Sequence, residues 1–152
     1  MDIKKELFEY LSTQQIMSLA TYGHHVRLCT VYFSADKDLN LYFISNAETE
    51  HCKNISINPE VACSIADSRQ AMSVKKIGVQ ITGKAVELSG LEKIGAALAF
   101  WSKENFDIEA DVSLERIKRR ALECKAYKIT PSEIKFFNEE LFGPEGYDII
   151  KM

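Results

Sequence analysis

Leu39-Asn40-Leu41-Tyr42-Phe43-Ile44, then Ser45-Asn46-Ala47-Glu48-Thr49-Glu50-His51-Cys52-Lys53, then Asn54-Ile55-Ser56-Ile57-Asn58-Pro59 form the continuous stretch Leu39 to Pro59 from which the rest of the chain can be read. The aromatic and aliphatic run at its start fits a strand. The polar segment after it passes into a short helical pattern closed by Asn58-Pro59. Strand, polar turn and helix in that order place backbone N–H groups, a hydroxyl and cationic side chains at a helix start, a physically reasonable place to hold a phosphate. The same residue types also make an ordinary helix cap, so the stretch alone leaves both readings open.

The register of that helix is open on sequence alone. If Ser45 caps it and Glu48 closes a capping box, Thr49 and Lys53 share one face and His51 points elsewhere. If Thr49 is itself the cap, His51 falls in the first turn beside the free N–H groups.

Upstream, Ile3, Leu7, Tyr10 and Leu11 recur at helical spacing within Asp2–Thr13, with Lys4, Lys5, Glu6 and Glu9 around them. Two β-prone runs follow, Ile16 to Tyr22 and Val26 to Phe33, joined by a Gly23-His24-His25 hairpin turn. The turn Ala35-Asp36-Lys37-Asp38 then leads into the opening strand, so three consecutive antiparallel strands are expected.

Downstream, Val61 to Ala66 reads as a strand, followed by a polar loop from Asp67 to Lys76. In Val79 to Leu88 the apolar residues fall at odd positions (Val79, Ile81) and then at even ones (Val86, Leu88). This change of face predicts a one-residue bulge near Gly83-Lys84. Leu91, Ile94, Leu98 and Trp101 define a second helix over Leu91–Phe106. A short helix is possible in Asp107–Arg120. Leu122–Ile129 and Ile134–Phe137 read as two closing strands split by Thr130-Pro131-Ser132, and Leu141–Met152 reads as an irregular tail. Six or seven short strands with about three helices outside them predict a mainly β fold with flanking helices, arranged as a partly closed antiparallel barrel. No βαβ repeat points to a dinucleotide fold.

A chain of 152 residues with 46% hydrophobic content is one domain's length, residues 1–152, with enough apolar residues for a core. The formal net charge of -3 gives no global field for nucleic acid or an anionic membrane. A barrel binding single strands would also need a basic, aromatic-lined groove, which the sequence lacks. Four cysteines without CxxC pairing suit free thiols. With no apolar leader at the N-terminus and no run of ~18 apolar residues, a cytoplasmic protein is expected, with no membrane and no nucleic acid among its partners.

The order of these segments resembles the FMN-binding split β-barrel family, the pyridoxamine 5'-phosphate oxidase-like proteins, and within it a small subgroup of about this length. The likeness is carried by Val26 to Phe33 with Asp36-Lys37-Asp38, by Leu41-Tyr42-Phe43-Ile44-Ser45, and by Thr49 through Asn54-Ile55 to Val61. It continues in Gly78 to Val86 and Glu133-Ile134-Lys135-Phe136. It spans about Ile16 to Phe137. Each motif is loose and their order is specific.

The resemblance implies a split antiparallel β-barrel of the FMN-binding type, a homodimer with FMN at the subunit interface, and a small-molecule substrate. It implies that the segment after the third strand holds the phosphate, and it favours Thr49 as the helix cap. Relatives place Ser or Thr before Arg-Lys there. In this chain Thr49 supplies the hydroxyl, but Glu50 and His51 stand where Arg and Lys are usual. Lys53 and Arg27 are the candidate substitutes, Arg27 matching a basic strand position that faces the phosphate in many relatives. A neutral imidazole still donates one hydrogen bond, and a phosphate dianion favours its protonated form.

Thr30, Ser45, Asn46 and Gln80 are polar candidates for the edge of the flavin ring. The bland alternatives are a cap for Thr49, a surface His51, a solvated Lys53, an outward Arg27 and water-facing Thr30, Ser45, Asn46 and Gln80. Lys75-Lys76 is a basic pair more simply read as solvated, and Arg116 to Arg120 as a charged helix face. Phe100 and Trp101 read as helix core or dimer contacts. His24, His25, His51 and Cys52 lack metal-ligand spacing, so no metal is expected.

No nucleophile–base pair is visible, so no catalytic residue is named. The expected function is a flavin-dependent oxidoreductase or flavin reductase. A non-catalytic carrier or sensor barrel for flavin or haem is the alternative. The substrate-contacting C-terminal Arg motif of true pyridoxamine-phosphate oxidases has no counterpart in Ile134 to Met152.

Overall fold

The computed structural model describes residues 1–103, 119 and 122–152, residues 101–103 by their backbone alone. The expected short helix in Asp107–Arg120, the charged face Arg116–Arg120 and the role of Trp101 lie outside the described side chains.

The elements run α1 (Ile3–Thr13), β1 (Ile16–Tyr22), β2 (Val26–Tyr32), β3 (Ser34–Ala35), β4 (Leu41–Asn46), α2 (Glu50–Ile57), β5 (Glu60–Ala66), β6 (Ile77–Leu88), α3 (Gly90–Lys103), β7 (Cys124–Asn138), α4 (Glu139–Phe142) and β8 (Tyr147–Lys151). Every pairing is antiparallel, in the order β2-β1-β5-β6-β7-β4-β3, with β8 added alongside the second half of β7. This is the split antiparallel barrel expected from the sequence.

The three consecutive strands are realised with a change of partner. β2 pairs with β1 from Val26 to Tyr32. After Phe33, β3 pairs with β4 instead (Ser34↔Tyr42, Ala35↔Leu41), so the β2–β3 run turns the corner between the two edges of the sheet. Fully buried Phe33 is the pivot. The β3–β4 turn is held by the Asp36 carboxylate, which accepts from the amides of Asp38 and Asn40 at 2.9 Å each, from the Asn40 side chain, and from the Tyr42 hydroxyl at 2.9 Å. These bonds hold Leu39 in the left-handed region (φ 67) while its side chain is fully buried.

The interior is built on strict alternation: Met17, Leu19 and Thr21 on β1, Val61, Cys63 and Ile65 on β5, and Val79, Ile81 and Ala85 on β6 all point inward. α1 closes one end, capped by the Asp2 carboxylate on the amides of Lys4 and Lys5, and buries Leu7 and Leu11.

Four expectations are corrected. The bulge lies opposite Gly83, but the extra residue is Ser132 on β7: Thr82 faces Glu133 and Gly83 faces Pro131. β7 accordingly turns odd residues inward before it (Tyr127, Ile129) and even ones after it (Ile134, Phe136). A Cβ at Gly83 would collide with the Thr130 carbonyl and Pro131 Cα, so glycine is needed for the close approach of the bulged strand. The change of parity in β6 has another cause, since Leu88 meets Ala126 on the outer face, where α3 packs over β3, β4 and β7.

The expected two closing strands are therefore one continuous β7 that passes through the bulge. The tail is likewise ordered, as α4 capped by Asn138 and as β8. α3 exists, but it buries Ala97 with partly buried Phe100, whereas Leu91, Ile94 and Leu98 are exposed.

Candidate functional site

Thr49 is the N-cap of α2. Its extended backbone (φ -69, ψ 151) releases the chain from β4, and its hydroxyl accepts from the Cys52 amide at 3.4 Å. The Thr49 hydroxyl also donates to the Asn46 carbonyl at 2.9 Å, and the Asn46 side chain accepts from the Glu48 amide, so the loop between β4 and α2 is a tight double turn. His51 is thereby fixed in the first turn, the second of the two registers.

His51 is half-buried at the rim of the barrel. Its Nε2 lies 2.6 Å from the Ser45 hydroxyl and 3.2 Å from that of Thr49. Phe43, stacked on Tyr127 with ring centroids 4.9 Å apart, forms the floor beside the imidazole. Hydrogen bonds to the Cys29 and Cys52 thiols, Cys29 first, push the imidazole up to about 9 against the opposing effect of burial. Burial raises the Cys52 thiol, but hydrogen bonds from His51, Thr49 and Tyr127 outweigh it and bring it down to about 7. The Tyr127 phenol is raised, first by burial and then by its bond to Cys52. At neutral pH the rim therefore carries a positive imidazole at a helix N-terminus, where the helix dipole adds to it.

α2 is tied to the β1–β2 hairpin by buried Asn54, whose amide donates to the Thr21 hydroxyl at 3.1 Å and the His25 carbonyl at 3.2 Å. Gly23 leaves the room for that side chain.

The candidate residues fall into two groups. Ser45, Asn46, Thr49 and His51 are in mutual contact at the rim. Lys53 lies one turn further along, exposed and 3.7 Å from Glu48. Arg27 projects from the same face of β2 as Cys29, two residues away, and is exposed, so it shares the His51 side of the barrel. Thr30 and Gln80 lie on the outer face of the sheet instead, Thr30 opposite Ser18 and Gln80 opposite Ser64 and Lys135. Gln80 lines a cavity there of about 350 Å³ with Ser18, Leu28, Ala62, Ser64 and Lys135.

Cys29 near His51, and Tyr127 against Phe43 and Cys52, were not foreseen from the sequence. Cys29 has the inward parity of β2, but its meeting with α2 depends on the corner at Phe33. Among the described residues no three His, Cys, Asp or Glu side chains converge on a metal position. No helix among them is long and apolar enough to cross a membrane.

A split barrel whose strand–helix junction presents a capped helix start and a cation defines a class of small β-barrel proteins. The chain belongs to the pyridoxamine 5'-phosphate oxidase family, whose model matches residues 3–138. Among solved structures, a conserved hypothetical protein from Mycobacterium tuberculosis is similar at TM-score 0.78 and 14% identity, covering 92% of this chain and 87% of that one. General Stress Protein 26 from Bacillus anthracis is similar at TM-score 0.70 and 14% identity, over 100% of both chains. A heme binding protein from Mycobacterium smegmatis is similar at TM-score 0.73 and 15% identity, covering 99% of this chain and 58% of that one. At these identities the likeness is one of fold. No curated protein matches the sequence significantly.

Proposed function

We propose that this chain is a flavoprotein that binds FMN in a homodimer and serves as a flavin-dependent oxidoreductase or flavin reductase on a small molecule. The observation that carries the reading is His51: in the first turn of α2, bonded to Ser45 and Thr49, and raised to about 9. It offers a fixed cation where the family's phosphate-binding lysine is usual, so the Glu50-His51 departure is compatible with holding a phosphate.

The first-turn amides of α2, the Thr49 hydroxyl, His51 and exposed Arg27 are the groups that would hold the phosphate. Ser45 keeps the imidazole in place, and Asn54 keeps the helix start against the hairpin. FMN, when bound, supplies the redox chemistry. The division of the candidates between rim and outer face suits a ligand shared by two subunits, with the rim of one protomer and the sheet face of its partner each contributing.

The test is direct. Protein purified natively and then denatured should release a flavin spectrum, and protein stripped of ligand should take up added FMN with quenching of its fluorescence. Protein that releases no flavin and does not quench added FMN sinks the reading. Arg27→Ala should weaken FMN about 10-fold or more, the scale of one charged hydrogen bond.

A second reading, a haem carrier or sensor of the same fold, is favoured by one observation: a half-buried imidazole, His51, a group that can ligate haem iron, stands at the rim beside the Ser45 and Thr49 hydroxyls. A Soret band in the native protein, with no flavin released, would replace the first reading with this one.

A further inference from the structure

We propose that the trough across the outer face of the sheet is the substrate site, and that it takes a small carboxylate with an apolar body whose charge is met by Lys135. Calling the ligand a substrate rests on the flavin reading; the anion site itself is tested apart from it.

The register builds the trough. Ser18 lies opposite Ser64, Ser64 opposite Gln80 and Gln80 opposite Lys135, so a row of uncharged polar side chains crosses β1, β5 and β6 and ends at an ammonium group on β7. The neighbouring row is small and apolar, with Ala20 opposite Ala62. Two adjoining cavities of about 350 Å³ and about 230 Å³ lie over these rows, and they share Ser64, Gln80 and Lys135. Leu28 walls the larger and Phe137 the smaller. Lys135 therefore stands where the two meet.

The ammonium group is held in place without being neutralised. Half-buried Lys135 sets its Nζ 4.1 Å from the centroid of the Tyr147 ring on β8, a cation–π contact that orients the charge. Among the described residues no carboxylate lies within ion-pair distance of it, and no hydrogen bond takes up the side chain of Ser18, Ser64 or Gln80. Lys53, Lys84 and Lys125, in contrast, each have a carboxylate partner. A positioned, unpaired cation beside hydroxyl and amide groups, at the side of an apolar trough, complements an anion whose remainder is apolar.

The neighbouring charges select the kind of anion. Glu133 lines the larger cavity from the same face of β7, and Lys76 lines the smaller one with its Nζ already donating to the Met72 carbonyl at 3.1 Å. One available ammonium with a carboxylate nearby suits a monoanion, whereas a phosphate dianion would be repelled by Glu133 and matched by too little positive charge. A carboxylate on Lys135 lays its apolar body over Ala20 and Ala62 against Leu28, next to Gln80, where the flavin reading sets the edge of the ring.

Sodium benzoate, with benzamide as its uncharged counterpart, is the probe. Binding to the full chain is read by saturation-transfer NMR of the probe and by the change it causes in the absorbance of bound FMN. Benzoate should bind about 10-fold or more tighter than benzamide, the scale of one charged hydrogen bond. Lys135→Met keeps the side chain's length and removes its charge; it should weaken benzoate about 10-fold or more and leave benzamide unchanged. Lys84→Met, at a lysine paired with Glu60, should alter neither probe. Ala62→Phe, checked for folding by circular dichroism, should exclude both by filling the trough. Equal affinity for the two probes, or benzoate binding that survives Lys135→Met, would overturn the site. A Lys135→Met chain that loses FMN together with benzoate would overturn it as well, by making the lysine a flavin ligand. Benzoate that binds through Lys135 but leaves the flavin absorbance unmoved would overturn the substrate role. The two readings fail separately: Lys135-dependent benzoate binding to a chain without flavin keeps the anion site and sinks the flavin reading, and bound flavin with no benzoate binding does the reverse.

Discussion

His51 is the residue in which most of the chain's chemistry meets. A histidine standing where a lysine is usual could be a weakened site, but its contacts make it a cation across the neutral range. The raised His51 contributes stability that is fully present below its ordinary value of about 6.5 and is lost as pH rises through about 9. The lowered Cys52 contributes stability that is present above its ordinary value of about 9 and is lost as pH falls through about 7. The two slopes oppose each other between pH 7 and 9, and the groups titrate as a pair. The difference in unfolding free energy between the native chain and Cys52→Ser should therefore grow as pH is raised from about 7 to about 9, measured by urea titration at fixed salt. A difference that is constant or shrinks over this window would refute the thiolate–imidazole pair. Local chemistry alone left Ser45 and Thr49 as alternative caps, and it was the family resemblance that favoured Thr49, which puts His51 in the first turn. Cys29 was not legible, because two residues 22 positions apart meet only through the path of the sheet.

At the level of elements, the alternating strands β1, β5 and most of β6 were legible, since period-two burial writes itself into residue type. The bulge was placed on the wrong strand for a physical reason. Val86 and Leu88 changed the apolar parity of β6 on its outer face, where Leu88 is buried beside Ala126 while Val86 is exposed, which looks in one dimension like a change of inward face. The true extra residue, Ser132, sits between Pro131 and Glu133, where turn-like residues masked a continuous strand. Its hydroxyl donates to the Thr82 carbonyl at 3.1 Å, satisfying a ladder group that the bulge displaces. Gly83→Ala should cost about 1–3 kcal/mol of stability through overpacking against β7, read as a lower denaturation midpoint. No loss would mean that β7 can retreat there and the approach is not tight. Asn54→Ala should cost about 1–3 kcal/mol, because it leaves the buried Thr21 hydroxyl and the His25 carbonyl without their donor. The same variant should weaken FMN, since it loosens α2 from the hairpin. An affinity unchanged alongside the loss of stability would separate the two roles of the helix.

At the scale of the whole molecule, the outer face of the sheet is unlike an ordinary solvated surface. Small residues, Ser18, Ala20, Ala62 and Ser64, make a flat centre, and Val26, Leu28 and Tyr32 on β2 rise beside it at 70%, 73% and 57% exposure. Apolar residues this exposed and clustered on one strand mark a surface that gains by being covered, and Thr30 and Gln80 lie among them. The homodimer proposed for flavin binding has its natural contact here, whereas the exposed Leu91, Ile94 and Leu98 belong to α3, which packs over β3, β4 and β7. Leu28→Lys discriminates between the two. In one protomer the side chain is exposed and its replacement should change intrinsic stability by no more than about 0.5 kcal/mol. In a dimer built on this face it places two charges in a desolvated interface. Sedimentation velocity should show the variant as a monomer at concentrations where the native chain is a dimer, and flavin occupancy should fall in step. A Leu28→Lys chain that remains dimeric with its flavin bound would move the interface to the α3 side, and with it the reason for Gln80 and Thr30 to belong to the site.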